Sequence, residues 1–172
     1  MKLDVLETWY AEGLKFTCSQ CGNCCTGGPG YVWISKEEIV RLAEYLKITP
    51  QETVEKYCRK VAGQFSLKEN RDPATGNYDC IFLTTERVNA GAGDKVVQTK
   101  RGCSVYPVRP LQCRTWPFWS ENLASVQNWN RAAKRCHGMN HGGRTFTIEK
   151  IHELRDAKDW PDNPPTSAPK SK

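Results

Sequence analysis

The sequence has no long hydrophobic run. Its apolar stretches are a few residues each, such as Ile81-Phe82-Leu83, whereas a membrane-crossing helix needs about 20, so a span of that kind is excluded. The first residues, Met1-Lys2-Leu3-Asp4-Val5-Leu6-Glu7, put acids where a secretory leader needs an apolar centre. The expectation is a cytoplasmic protein without a membrane partner, whose thiols stay reduced. Histidine is scarce: only His137, His141 and His152 occur. A hydrolytic zinc site commonly draws on that residue, and His137 and His141 sit in a Gly-rich stretch that reads as a loop, so no catalytic residue is assigned. No block of one charge sign exists either. Residues 1–60 hold eight bases and eight acids, 61–130 eight and six, and 131–172 nine and five. The net charge of +6 therefore leans C-terminal without forming a patch, which reads as a solvated surface and argues against nucleic acid as a partner. No internal repeat is visible, and Gly91-Ala92-Gly93-Asp94 is a loop rather than a phosphate-binding turn.

What the chain does have is cysteine, nine residues in 172. The length fits one domain, and 38% apolar residues plus 13 Gly allow a globular core. An odd number of cysteines in a reducing compartment speaks against a disulfide framework and for metal.

Local signals predict a small single α+β domain of short helices and strands over residues 1–160. A Pro-rich tail, 161–172, is expected to be disordered. Leu3, Leu6 and Trp9-Tyr10 suit a short entry helix. Tyr31-Val32-Trp33-Ile34 reads as a strand. Ser35 with Glu38, and Thr49-Pro50 with Glu52, are two helix starts of the capping-box kind. Ile39, Leu42, Ala43 and Leu46 form the apolar face of the first helix, and Val54, Tyr57, Cys58 and Val61 continue the second. Tyr78–Leu83 and Lys95–Gln98 are strand candidates between turn signals. Ser120 is expected to cap a helix reaching Arg135, and Thr147 another over 148–158.

Cys18-Ser19-Gln20-Cys21-Gly22-Asn23-Cys24-Cys25 places four thiols within eight residues. A C-x2-C step lets two sulfurs converge on one metal, and Gly22 permits the tight backbone this needs. Two such steps share Cys21, the spacing that gives three ligands to one iron–sulfur cluster in ferredoxins. Neighbouring side chains diverge, so Cys25 points to a second metal position or a bridged centre. With Cys80, Cys103, Cys113 and Cys136 these four make eight candidate ligands, enough for two four-ligand sites or one multinuclear centre. Cys58, on an apolar helix face, reads as a small buried hydrophobe.

Eight thiolates around two divalent ions leave about −4 of charge, and burying it requires cations and N–H donors. Arg109 and Arg114, in Cys103-Ser104-Val105-Tyr106-Pro107-Val108-Arg109-Pro110-Leu111-Gln112-Cys113-Arg114-Thr115-Trp116-Pro117-Phe118, are the expected charge-compensating residues. The prolines there restrict the backbone that aims them.

C-x2-C-x2-C-C, a lone Cys, C-x2-Y-x2-R-P-x2-C-R-x2-P-F and a late Cys together resemble the bacterial cysteine-cluster family called YkgJ-like or CxxCxxCC. The matching positions are Cys18, Cys21, Cys24, Cys25, Cys80, Cys103, Tyr106, Arg109, Pro110, Cys113, Arg114, Pro117, Phe118 and Cys136. The resemblance implies a zinc- or iron-chelating domain and leaves Cys58 outside the pattern. A related cluster occurs in flagellin lysine methylases, which are much longer.

Three functional expectations follow. One is a zinc or iron protein, with an iron–sulfur cluster as one form, acting in metal chelation, sensing or electron transfer. Another is an accessory or catalytic component of a metal-dependent modification enzyme. The third is a zinc-stapled binding module, whose basic aromatic face would combine Trp116, Trp119 and Trp129 with Arg131, Lys134 and Arg135.

Overall fold

The computed structural model describes residues 8–89 and 97–161. The expected entry segment at Leu3 and Leu6, the loop at 90–94, the start of the strand expected at Lys95 and the tail after Pro161 lie outside the described residues. In chain order the elements are β1 (Leu14–Lys15), a 3-10 turn (Asn23–Cys25), β2 (Thr26–Gly27), β3 (Trp33–Ile34), α1 (Lys36–Leu46), α2 (Pro50–Tyr57), β4 (Cys58–Val61) and β5 (Gln64–Leu67). Then come β6 (Glu69–Arg71), β7 (Tyr78–Cys80), β8 (Leu83–Asn89), β9 (Val97–Cys103), a 3-10 turn (Tyr106–Val108), α3 (Leu111–Thr115), α4 (Ser120–Leu123), α5 (Val126–Ala133), β10 (Thr145–Phe146) and α6 (Ile148–Asp156). The class is α+β, as expected. Contacts divide the chain into two compact units: Gly22–Cys113, and the described residues up to Cys21 together with Arg114–Asp159.

In the Gly22–Cys113 unit both predicted helix starts form complete capping boxes. Ser35 accepts from the Glu38 N–H while Glu38 accepts from Ser35, and Thr49 and Glu52 do the same with Pro50 at the first helical position. Each cap is worth about 1 kcal/mol. The second helix is shorter than its apolar spacing predicts. It stops at Tyr57, and Cys58–Val61 becomes β4, paired with β5 in the register Cys58↔Leu67 to Val61↔Gln64. The turn explains the difference: Ala62 and Gly63 both have positive φ, 48° and 83°, the geometry of a two-residue hairpin. Pairing across that turn claims backbone groups that a longer helix would use. Cys58 and Val61 are both still buried, but three apart in a strand they project from opposite faces, and Cys58 is the one that joins the core of this unit.

Three small sheets complete this unit: β3-β5-β4, β2-β7-β6 and the β8-β9 ribbon. The predicted strand at 31–34 is limited to Trp33–Ile34, and the candidate at 78–83 splits between β7 and β8. The core gathers Ile34, Ile39, Leu42, Cys58, Leu67, Phe82 and Val105, with Cys80 and Cys103 packed against it.

The other unit is centred on Tyr10, Phe118, Leu123, Trp129, Met139, Ile148 and Ile151, with Cys136 against that core. The single helix expected from Ser120 is two. Ser125 accepts from the Asn128 N–H and starts α5 anew, while Trp119 rather than Ser120 is the cap residue of α4. A serine two residues past α4 offers the backbone a fresh cap, and the helix breaks there. Thr147 caps α6 as predicted, ending at Asp156. The Trp116–Pro117 bond is cis. Trp129, 2% exposed, lies in the core, and Trp116 and Trp119 meet edge to face at 4.9 Å. Of the three tryptophans expected on a basic aromatic face, Trp129 is thus in the core, while Trp116 and Trp119 are half-buried.

Phe16 pairs with Met139, and the Thr17 N–H donates to the Gly138 carbonyl at 3.0 Å. The approach is close enough that a Cβ on Gly138 would stand 2.0 Å from the Thr17 carbonyl oxygen. Gly138→Ala is expected to cost about 1–3 kcal/mol, because the clash is with backbone that cannot swing aside. Urea unfolding measures this; an unchanged midpoint would refute the contact.

Candidate metal centre

Five of the predicted ligands belong to the Gly22–Cys113 unit, and separate elements deliver them. Cys24 and Cys25 sit on the first 3-10 turn, entered through Gly22 at φ 70°, with the Cys25 N–H returned to the Gly22 carbonyl at 3.0 Å. Gly22 is needed for space as well as conformation: a Cβ there would meet Leu83 Cδ1 at 2.8 Å. Arg101 Nη2 donates to Asn23 Oδ1 at 2.5 Å and ties the turn to β9. Directly after Cys25, Thr26 pairs with Asp79, and their side chains are hydrogen-bonded. Continuing that antiparallel register sets Cys25 opposite Cys80, the last residue of β7. Cys103 closes β9 opposite Leu83. Cys113 lies on α3, its N–H donating to the Pro110 carbonyl at 2.9 Å.

The electrostatics show that these sulfurs influence one another. Cys24 and Cys25 Sγ are 3.9 Å apart. Cys25 is held far above the usual thiol range, first by its hydrogen bond with Cys24, then by burial, then by negative charge on Cys24, Cys80 and Cys113. Burial pushes Cys80 up to about 11, with Cys103, Glu69 and Cys24 adding to the rise and a hydrogen bond from the Phe82 backbone opposing it. Cys113 is driven well above 9.0, again mainly by burial, with Cys80, Cys24 and Cys103 reinforcing the rise and Arg109 pulling the other way. Without a cation these sites are best occupied by protons, since like charges cannot share a low-dielectric space.

Of the two predicted compensating arginines, Arg109 is half-buried, acts on Cys113 and stacks its guanidinium 3.6 Å above the Tyr106 ring. Arg114 is exposed. Cys18, Cys21 and Cys136 belong to the other unit and are half-buried. The antiparallel bridge at Phe16 and Met139 brings the backbone of Cys18 level with His137, next to Cys136. His137 and His141 are exposed loop residues.

Among the described residues, no three cysteine, histidine, aspartate or glutamate side chains stand in a metal-coordinating arrangement. The donor set itself suits a thiophilic ion. Sulfurs drawn from four chain segments, an N–H aimed at one of them and a guanidinium beside another are what zinc or iron thiolate chemistry requires. Reading the sequence alone missed the supports: Glu69, Asn23, Arg101 and the Gln112 side chain. Glu69 accepts the Gly30 N–H at 3.2 Å and pairs with Arg59 at 3.2 Å, while facing Cys80 across the β6–β7 register. Only Gly22 advertised itself in the sequence.

Comparison with known proteins agrees with this donor set. Residues 17–137, most of the chain, match the CxxCxxCC family, described as "Putative zinc- or iron-chelating domain". The chain belongs to that family, and metal binding is the general function it carries. The uncharacterized protein MJ0661 of Methanocaldococcus jannaschii is 34% identical over 119 residues, 69% of this chain and 50% of that protein. The chain therefore spans about half the length of this relative. No solved structure matches it.

Cys58 stands apart from the five. It is 4% exposed within the apolar core, and burial pushes its thiol up to about 11 against a small opposing pull from Lys68. The folded protein thus holds this proton more tightly than the unfolded chain does, so the stabilising contribution is complete below about pH 9 and is lost as pH rises toward 11. Cys58→Ala is expected to keep the full metal content, to lose about 1 kcal/mol of packing at pH 7, and to flatten the fall in stability between pH 9 and 11. Loss of metal from that variant, or an unaltered alkaline profile, would contradict the assignment.

Proposed function

We propose that the protein binds zinc or iron through cysteine thiolates and acts in metal chelation, sensing or electron transfer, with Cys18, Cys21, Cys24, Cys25, Cys80, Cys103, Cys113 and Cys136 as ligands. The observation that carries this reading is the mutual influence of Cys24, Cys25, Cys80, Cys103 and Cys113. Five thiols from four segments lie near enough to disfavour one another's thiolates, and a bound cation would offset that repulsion. A structural buried cysteine needs no such company, as Cys58 illustrates. Arg109 serves as the compensating cation beside Cys113, fixed in direction by its stacking on Tyr106. A compensating cation is expected to be largely buried, so the exposure of Arg114 speaks against the same role for it.

Soft thiolates select zinc or iron over hard cations. When bound, zinc supplies a cross-link between the segments, and an iron–sulfur cluster supplies a one-electron couple. The chain's residues do the rest. The Phe82 N–H steadies negative charge on Cys80, the β2–β7 pairing sets Cys25 facing Cys80, and α3 presents Cys113.

Anaerobic purification, elemental analysis and an absorbance spectrum test the proposal. A brown protein with a broad visible band identifies iron–sulfur, and a colourless one carrying zinc identifies a chelating site. Cys113→Ser and Cys24→Ser are each expected to lower the metal content, and a strong chelator to destabilise the wild type toward urea. Metal-free protein that takes up neither ion on reconstitution would overturn the reading.

A further inference from the structure

We propose that Glu38 is a positioning residue for Cys113, holding the first turn of α3 so that this thiol is in place before any metal arrives. The inference rests on the reading of Cys113 as a ligand.

Glu38 is the third residue of α1, and a capping box there needs one carboxylate oxygen. Oε2 fills that need, accepting the Ser35 N–H at 3.0 Å. Oε1 does something the motif does not call for: it accepts the Leu111 N–H at 2.6 Å, from 73 residues away in sequence. Leu111 is the first residue of α3, where backbone N–H groups have no partner within the helix. The carboxylate is 5% exposed, and a buried charge persists only where it is hydrogen-bonded or paired. Arg41 Nη2 stands 3.7 Å from Oε1. One buried carboxylate thus joins the starts of two helices, and the second of those helices carries Cys113.

The next residue repeats the arrangement. Gln112 accepts the Trp33 N–H at 2.8 Å and donates to the Tyr31 carbonyl at 3.3 Å. Both residues before Cys113 are therefore fixed by groups on α1 and around β3, and Cys113 follows them through its own N–H to Pro110. None of these bonds involves a sulfur, so none depends on a metal. Partners of this kind around a metal ligand change affinity by about 10–100-fold when removed.

A double-mutant cycle tests the proposal. Zn²⁺ affinity is measured by competition with a chromophoric chelator in the wild type, Glu38→Gln, Cys113→Ser and the double variant. Gln keeps the size of Glu but has one acceptor end, so one of the two N–H groups is left unserved. Glu38→Gln is expected to weaken Zn²⁺ binding about 10–100-fold and to add nothing once Cys113 is Ser. Equal weakening in both backgrounds would overturn the proposal, since Glu38 would then be acting on the fold as a whole. If Glu38→Gln does not fold, Gln112→Leu takes its place with the same expectation. A second readout needs no metal. In the metal-free protein, iodoacetamide labelling mapped by mass spectrometry should accelerate at Cys113 in Glu38→Gln and stay unchanged at Cys80. Equal acceleration at both, or at neither, refutes the positioning role. Failure of the wild type to bind either Zn²⁺ or iron would instead count against the proposed function, leaving the labelling result to decide the role of Glu38.

Discussion

Sulfurs that share a small space cannot all be anionic. This repulsion sets the terms for the unit that carries Cys24, Cys25, Cys80, Cys103 and Cys113. Cys25, Cys80 and Cys113 are pushed toward their protonated forms by burial and by neighbouring thiols, and the groups that pull back are few: the Phe82 N–H at Cys80 and Arg109 at Cys113. A divalent cation supplies more opposing charge than these local donors together. The family to which the chain belongs, with its zinc- or iron-chelating description, is in keeping with that balance.

Given such repulsion, the sulfurs must be brought together by bonds formed elsewhere. Short sheets do this for Cys25, Cys80 and Cys103, through pairings that place them at strand ends. Hydrogen bonds to side chains do it for Cys113. The apolar core of Ile39, Leu42, Phe82 and Val105 underlies both, so the placement of these thiols draws on ordinary folding forces.

The parts legible in the sequence were those with local causes. Capping boxes at Ser35 and Thr49 involve residues three apart, and Thr147 announces α6 equally plainly. Cysteine spacing is local too, as is the glycine between Cys21 and Asn23. What escaped was non-local or decided by competition. Cys58–Val61 carries a helical pattern, yet the Ala62-Gly63 turn recruits it into a hairpin, because a strand with a partner satisfies its backbone as well as a helix does. Trp129 looked available for a surface; the packing of α5 buried it. Nothing near Glu38 in sequence points to Leu111, since the oxygen that reaches it is the one a capping box leaves idle.

The two buried tryptophans fall one to each unit: Trp33 in the sheet of β3 and β5, Trp129 against Phe118. Trp33 stacks on Tyr31 at 5.1 Å and donates its backbone N–H to Gln112. Trp129 gives its indole N–H to Asn140 at 2.7 Å. Each core thus contains an optical label of its own, among six tryptophans in the chain. Once Trp9, Trp116, Trp119 and Trp160 are exchanged for phenylalanine, light emitted from Trp33 reports on the surroundings of the thiol-bearing unit and light from Trp129 on the other, and removing one of the pair leaves a single channel through which one unit can be watched loosening without the other.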